Sequence, residues 1–135
     1  MPHAKLNGLN LYYEVSGSGT AIVLTHGFAG STNMWLPQVE PFSENYQLIT
    51  YDIRGCAQSD APEDPNLYSW DIAIEDLHQL LIHLKVTSAV IGGLSLGGIV
   101  SMHYYFKHPE MTKALILADT GPGFRNPKSM AQWDN

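Results

Sequence analysis

A serine flanked by glycines is the pattern in this sequence with the clearest chemical meaning. Positions 93–97 read Gly-Leu-Ser-Leu-Gly, directly after the apolar run Ser88–Gly92 and before a stretch with helical periodicity. A nucleophile on a sharp strand-to-helix turn has strained dihedrals, and neighbours without side chains relieve the resulting clashes. We therefore predict that Ser95 forms a covalent acyl intermediate. The alternative is a glycine-rich turn that simply packs closely or binds phosphate.

A second pattern, His26-Gly27-Phe28, also follows an apolar run. Acyl transfer develops an oxyanion, which needs two converging N–H donors. We predict that these donors are the backbone amides of Phe28 and Leu96, and that Gly27 lets the backbone approach closely. His26 and Leu94 are expected to support the loops, with contact between His26 and the substrate as the alternative.

Strand-like and helix-like segments alternate along the chain and would position these residues. Asn7-Gly8 predicts a tight hairpin turn, and Gly121-Pro122-Gly123 is expected to end the last strand. The predicted strands are Ala4–Leu6, Leu9–Val15, Ala21–Thr25, Gln47–Tyr51, Ser88–Gly92 and Lys113–Ala118, and the predicted helices are about Asn33–Phe42, Trp70–Leu84 and Leu96–His108. Apolar strands joined by helical crossovers predict an α/β fold, a mostly parallel sheet with helices on both faces.

Four polar residues, His26, Asp52, Ser95 and Asp119, each follow a predicted strand or its tight turn. Ligands of parallel sheets bind outside the carboxyl ends of the strands, so these residues are expected to lie at one edge. Asp52 is expected to pair with Arg54 and to order its own loop rather than to act in catalysis.

The composition narrows the class of protein. We expect residues 1–135 to form a single domain, because the chain is 44% hydrophobic and only 15% charged. The net charge of −6 and the lack of a basic run argue against nucleic acid and anionic membranes as partners. A single cysteine and the absence of a signal-like start favour a cytoplasmic protein. No metal-binding motif is present, so we expect neither a metal nor a cofactor.

Together these residues resemble the α/β-hydrolase superfamily, in the branch of small esterases, enol-lactonases and cofactor-free haloperoxidases. Residues 52–59 (D-I-R-G-C-A-Q-S) are similar to its D-x-R-G-x-G-x-S loop, with Ala57 in place of the usual glycine. Tyr68-Ser69 resembles the entry to its helix before the nucleophile strand, and residues 115–120 its sixth strand. The resemblance covers residues 9–121 and implies hydrolysis of carboxylic esters or lactones, with perhydrolysis as an alternative. Dehalogenases and epoxide hydrolases of this superfamily carry an aspartate where this chain has Ser95.

The resemblance also implies parts that this sequence lacks. Members of the family are longer, and they carry a lid after the sixth strand, two more strands, an acid and the catalytic histidine. In some relatives the acid follows the sixth strand, which makes Asp119 a candidate, with capping of the local turn as the alternative. His103 and His108 are expected to be surface or packing residues, and His78 and His83 to be solvated. The base is therefore missing or supplied by another segment or chain.

The predicted last strand, Lys113–Ala118, would have no outer neighbour in the sheet. An apolar edge strand invites pairing with another chain. We therefore expect a homo-oligomer formed through this strand, or a C-terminal half that completes the fold. The alternative to an enzyme is a catalytically impaired half-fold that serves as a binding or assembly module.

Overall fold

The computed structural model describes residues 3–121, in which a six-stranded sheet is flanked by three α-helices. The strands are β1 (His3–Leu6), β2 (Leu9–Ser16), β3 (Thr20–Thr25), β4 (Tyr46–Tyr51), β5 (Ala89–Leu94) and β6 (Thr112–Ala118). The helices are α1 (Leu36–Ser43), α2 (Trp70–His83) and α3 (Leu96–Lys107), and short 3₁₀ turns cover Thr32–Trp35, Pro65–Leu67 and Pro109–Met111. None of the helices in the described part of the chain is long and apolar enough to cross a membrane.

The strand order is β1-β2-β4-β3-β5-β6. β1 and β2 form the predicted hairpin, in which both turn residues, Asn7 and Gly8, adopt a positive φ. β2 also pairs antiparallel with β4, and the remaining pairs, β4–β3, β3–β5 and β5–β6, are parallel. The predicted α/β fold with a mostly parallel sheet is therefore confirmed.

Two apolar clusters lie on opposite faces of the sheet, because successive side chains of a strand point to opposite sides. Val23, Ile49 and Ile91 belong to the cluster that α2 and α3 cover. Ile22 and Leu48, their neighbours in sequence, belong to the smaller cluster on the face that α1 covers. Helices thus cover both faces, and β3 lies in the middle of the sheet with its carboxyl end beside that of β5.

Three details complete the description of the elements. Pro41 lies inside α1. Ala57, which stands in place of the usual glycine, adopts a φ of 45°, the left-handed region that favours glycine. β6 pairs on one side only within residues 3–121, as expected for a strand without an outer neighbour, and Lys113, Ala114, Ile116 and Leu117 are exposed. Pro122 and Gly123, predicted to end β6, lie outside the described residues.

Candidate active site

Ser95 occupies a sharp turn between the last residue of β5 and the first residue of α3. Its φ of 53° and ψ of −113° are those of neither a strand nor a right-handed helix. Its N–H donates to the Ala118 carbonyl at 3.0 Å, and its own carbonyl accepts from Thr120 Oγ1 at 2.7 Å. The residue is half-buried, and its Oγ makes no hydrogen bond within residues 3–121. The end of β6 therefore fixes the backbone of the turn and leaves the hydroxyl unengaged by the described residues.

Glycines at positions 93 and 97 let the end of β3 pack directly against this turn. A Cβ on Gly97 would overlap the Thr25 carbonyl oxygen and would lie 2.7 Å from the His26 carbonyl oxygen. A Cβ on Gly93 would lie 2.7 Å from the same Thr25 oxygen. Because all of these neighbours are backbone atoms, neither position has room for a side chain.

The loop after β3 passes beside Ser95. A Cβ on Gly27 would lie 3.8 Å from the Ser95 Cβ and 3.5 Å from the carbonyl oxygen of Leu94, the last residue of β5. Gly30 N–H donates to the Gly27 carbonyl at 3.0 Å, which closes a tight turn with Phe28 in its middle. Neither the Phe28 amide nor the Leu96 amide donates a hydrogen bond within the described part of the chain. Both amides are thus without an acceptor among those residues.

His26 is fully buried, and both of its ring nitrogens are engaged. Nδ1 lies 2.7 Å from the Gly27 carbonyl oxygen, and Nε2 accepts from the Ile53 amide at 2.9 Å. A carbonyl only accepts and an amide only donates, so the proton is on Nδ1. Burial, the main cause, lowers the pKa of His26 below its usual 6.5. The ring is neutral and holds the loop, so it is not available to take the Ser95 proton.

The buried neutral His26 predicts that the free energy of unfolding falls in acid. Its folded pKa lies below its unfolded pKa, so the unfolded state binds more protons once the pH drops below about 6.5. A single proton changes the free energy of unfolding by at most about 1.4 kcal/mol per pH unit. We expect urea titrations between pH 5 and 8 to show a weaker acid dependence for His26→Gln than for the unsubstituted chain. Equal slopes for the two proteins would contradict this role, since the other histidines are common to both.

The predicted pairing of Asp52 with Arg54 is wrong. The fully buried Asp52 carboxylate accepts backbone N–H groups instead, from Thr32 at 2.7 Å and from Gln58 at 3.0 Å. Arg54 binds Asp76 of α2 through two hydrogen bonds of 2.6 and 2.8 Å. The planar guanidinium matches a carboxylate in this two-bond geometry, and the backbone amides already satisfy Asp52.

None of the remaining acid and base candidates forms a hydrogen bond with Ser95 in the described part of the chain. Asp119 directly follows β6 with a φ of 42° and an exposed side chain. Its carboxylate makes no hydrogen bond within residues 3–121. The ring of His103 stacks on Trp70, with 5.8 Å between the ring centroids.

His108 and His78 stack on each other, with 3.7 Å between their centroids, where α2 meets the end of α3. His78 Nδ1 lies 3.0 Å from the hydroxyl oxygen of the buried Tyr104, so this half-buried ring is not solvated as expected. Both histidines therefore pack between helices. Among residues 3–121, no three His, Cys, Asp or Glu side chains are arranged as a metal site.

The sequence reasoning missed two threonines that hold the loops of the site. Thr120 binds the Ser95 carbonyl, and Thr32 ties the loop after β3 to Asp52. The only signal in the sequence is that each lies in a polar stretch after a predicted strand. That signal does not say which carbonyl or carboxylate the threonine reaches.

Comparison with known proteins places this geometry in a family. The family model described as alpha/beta hydrolase fold matches residues 20–135. A protein of Azorhizobium caulinodans, provisionally named carbamate hydrolase RutD, is 32% identical over 88% of this chain and 44% of its own length. An epoxide hydrolase of Caballeronia sordidicola is 34% identical over 82% of this chain and 34% of its own length.

Solved structures agree with the family match. The enol-lactonase from Burkholderia xenovorans LB400 superposes with a TM-score of 0.88 and 29% identity, covering 97% of this chain and 51% of that one. The chain thus spans less than half the length of these curated relatives and about half of that enzyme. The family match, the parallel sheet and the turn at Ser95 agree, and the chain belongs to the alpha/beta hydrolase family.

Proposed function

We propose that this chain carries the nucleophile half of a cytoplasmic serine hydrolase that cleaves small carboxylic esters or lactones. The main support for this proposal is the position of Ser95. It lies at a turn of positive φ between β5 and α3, and no described residue binds its hydroxyl. In the proposed reaction Ser95 Oγ attacks the acyl carbon, and the alcohol leaves with a proton. Water then attacks the acyl-enzyme and releases the acid, which regenerates the serine.

The amides of Phe28 and Leu96 are the proposed donors to the oxyanion. Both amides lack a hydrogen-bond acceptor within residues 3–121. Phe28 follows Gly27 and Leu96 follows Ser95, and Gly27 lies close to Ser95. Unpaired amides that are fixed before the reaction stabilise developing negative charge without reorganisation. This arrangement supports acyl transfer at Ser95.

Serine at position 95 favours an ester or lactone over an epoxide as substrate. Epoxide hydrolases are among the similar proteins, but the superfamily pattern gives those enzymes an aspartate nucleophile at this position. Similarity to an enol-lactonase supports a lactone or a related ester. Perhydrolysis, with peroxide in place of water at the same acyl-enzyme, is the alternative chemistry for the same serine.

The base that accepts the Ser95 proton comes, in this proposal, from another segment or another chain. Both nitrogens of His26 are occupied, and His103 and His108 pack against α2. A serine hydroxyl is a weak nucleophile without a base. The chain by itself is therefore proposed to acylate slowly and to turn over more slowly still.

Labelling with an organophosphonate tests the assignment of the nucleophile. The reagent mimics the tetrahedral intermediate, so we expect one label per chain, located at Ser95 by peptide mass spectrometry. Labelling spread over several serines, or no labelling at all, would instead favour the binding or assembly module.

The exposed last strand is the proposed site of self-association. β6 is one of the two edge strands of the described sheet, and it exposes Ile116 and Leu117. We expect size-exclusion chromatography with light scattering to give a dimer or a higher oligomer, and Ile116→Glu to shift the chain to monomer because a charge on the edge blocks pairing. A monomer for the unsubstituted chain would refute this proposal.

A further inference from the structure

The loop that follows β4 holds the loop that follows β3 at both of its ends. At the first end, the Ile53 amide donates to His26 Nε2 at 2.9 Å. At the second end, the Thr32 amide donates to Asp52 Oδ1 at 2.7 Å. His26 and Asp52 are both fully buried, so water does not compete for these bonds.

The Asp52 carboxylate is the stronger of the two ties. Its second oxygen accepts from the Gln58 amide at 3.0 Å, so one carboxylate joins two loops. Hydrogen bonds to an ionised acceptor are roughly twice as strong as neutral ones. Arg54, the nearest cation in the sequence, is engaged by Asp76. The Thr32 hydroxyl adds a third link by donating to Glu14 of β2 at 2.9 Å.

The segment between the two ties has no regular secondary structure of its own. It consists mainly of the turn that Gly30 N–H and the Gly27 carbonyl close, and Phe28 lies within that turn. These two ties hold its ends, and within it the His26 ring binds the Gly27 carbonyl oxygen and the Cys56 thiol lies beside the Ala29 backbone. The direction of the Phe28 amide depends on where those ends are held.

We propose that Asp52 is a positioning residue for catalysis, which acts through the Thr32 amide to fix the Phe28 amide relative to Ser95. This inference rests on the proposed function, since it concerns the donor to the oxyanion. Misplacement of a catalytic group by about 1 Å costs up to about 10²-fold in rate. Asp52 touches neither substrate nor nucleophile in this proposal, and its effect is confined to the position of an amide.

Asp52→Asn tests the inference, because asparagine keeps the size but presents an NH₂ donor to one of the two amides. With p-nitrophenyl acetate and the full chain, we expect kcat to fall by about 10- to 10²-fold and KM to change less than about twofold, since the loss is felt in the transition state. Tyr104→Phe is the matched control, because it removes one part-buried hydrogen bond of a buried side chain but lies on the α2–α3 side. We expect its kcat to be unchanged.

Amide spectra of ¹⁵N-labelled chain provide a readout that does not depend on activity. We expect the Phe28 and Thr32 amide resonances to move in Asp52→Asn and to stay in place in Tyr104→Phe. An unchanged kcat in a folded Asp52→Asn chain, or an equal fall in kcat in both variants, would overturn the inference. If the unsubstituted chain shows no hydrolysis that depends on Ser95, the proposed function fails. In that case the amide spectra alone test the positioning role, and an unmoved Phe28 amide resonance in Asp52→Asn overturns it.

Discussion

Ser95→Ala is expected to abolish the burst of p-nitrophenolate that the unsubstituted chain gives with a p-nitrophenyl ester. The proposed acyl-enzyme forms on the Ser95 Oγ, and alanine has no atom to carry the acyl group. The effects of triad members are not additive and the described residues supply no base, so the two proteins are compared by the burst and not by turnover. The measurement is stopped-flow absorbance with enzyme in stoichiometric amounts, where the expected burst is one p-nitrophenolate per chain.

Ser43→Ala is the matched control for that experiment. Ser43 ends α1, and its hydroxyl donates only to the local Glu40 carbonyl, at 3.1 Å. We expect this variant to keep the full burst amplitude. A burst of equal size in Ser95→Ala would remove the basis for a serine nucleophile, and it would leave the binding module as the better interpretation.

Gly97→Ala is expected to cause the largest loss of stability among single-methyl additions to the turn at Ser95. Alanine would favour helix α3 by about 1 kcal/mol over glycine. Its Cβ would overlap the Thr25 carbonyl oxygen and lie 2.6 Å from the Thr25 carbonyl carbon. A backbone neighbour cannot rotate away, so β3 and α3 have to separate, and overpacking of this kind costs about 3 kcal/mol. We expect urea unfolding to show a net loss of about 2 kcal/mol and Tm to fall by roughly 8 °C.

Gly121→Ala is the control for the added methyl group. A Cβ at Gly121 meets no atom of residues 3–121 within 4 Å. We expect its free energy of unfolding to stay within about 0.5 kcal/mol of the unsubstituted chain. If Gly97→Ala were as stable as Gly121→Ala, the close approach of β3 to the turn would be wrong. The proposed relation between Gly27 and Ser95 would then lose its basis as well.

Much of the architecture could be read from local patterns. Period-two and continuous apolar runs predicted the six strands, and Tyr68-Ser69 marked the entry to α2, where the Ser69 Oγ accepts from the Ile72 amide at 3.1 Å. The edge position of β6 was inferred from its place as the last predicted strand and not from its composition. An apolar run looks the same in the middle of a sheet and at its edge, because neighbours in space are not written in the local sequence.

The pairing of charged residues at the site is likewise not written in the local sequence. Asp52 and Arg54 are two residues apart, and proximity in sequence suggested a pair. In the structure Arg54 turns to Asp76, 22 residues further on, while Asp52 binds backbone amides. Which carboxylate binds Arg54 depends on the burial and direction of the side chains of α2, and these are fixed only when the helix packs on the sheet.

The sequence by itself determined the elements of this protein and the residue types at its turns. Glycines at 93 and 97 around Ser95 and the Asn7-Gly8 hairpin turn are requirements of local backbone geometry. Only the tertiary structure decided that β3 lies beside β5, which brings Gly27 against Ser95, and that the ring of His26 points to Ile53. The physical reason is that turns are specified by steric limits within a few residues, whereas contacts between loops depend on strand order.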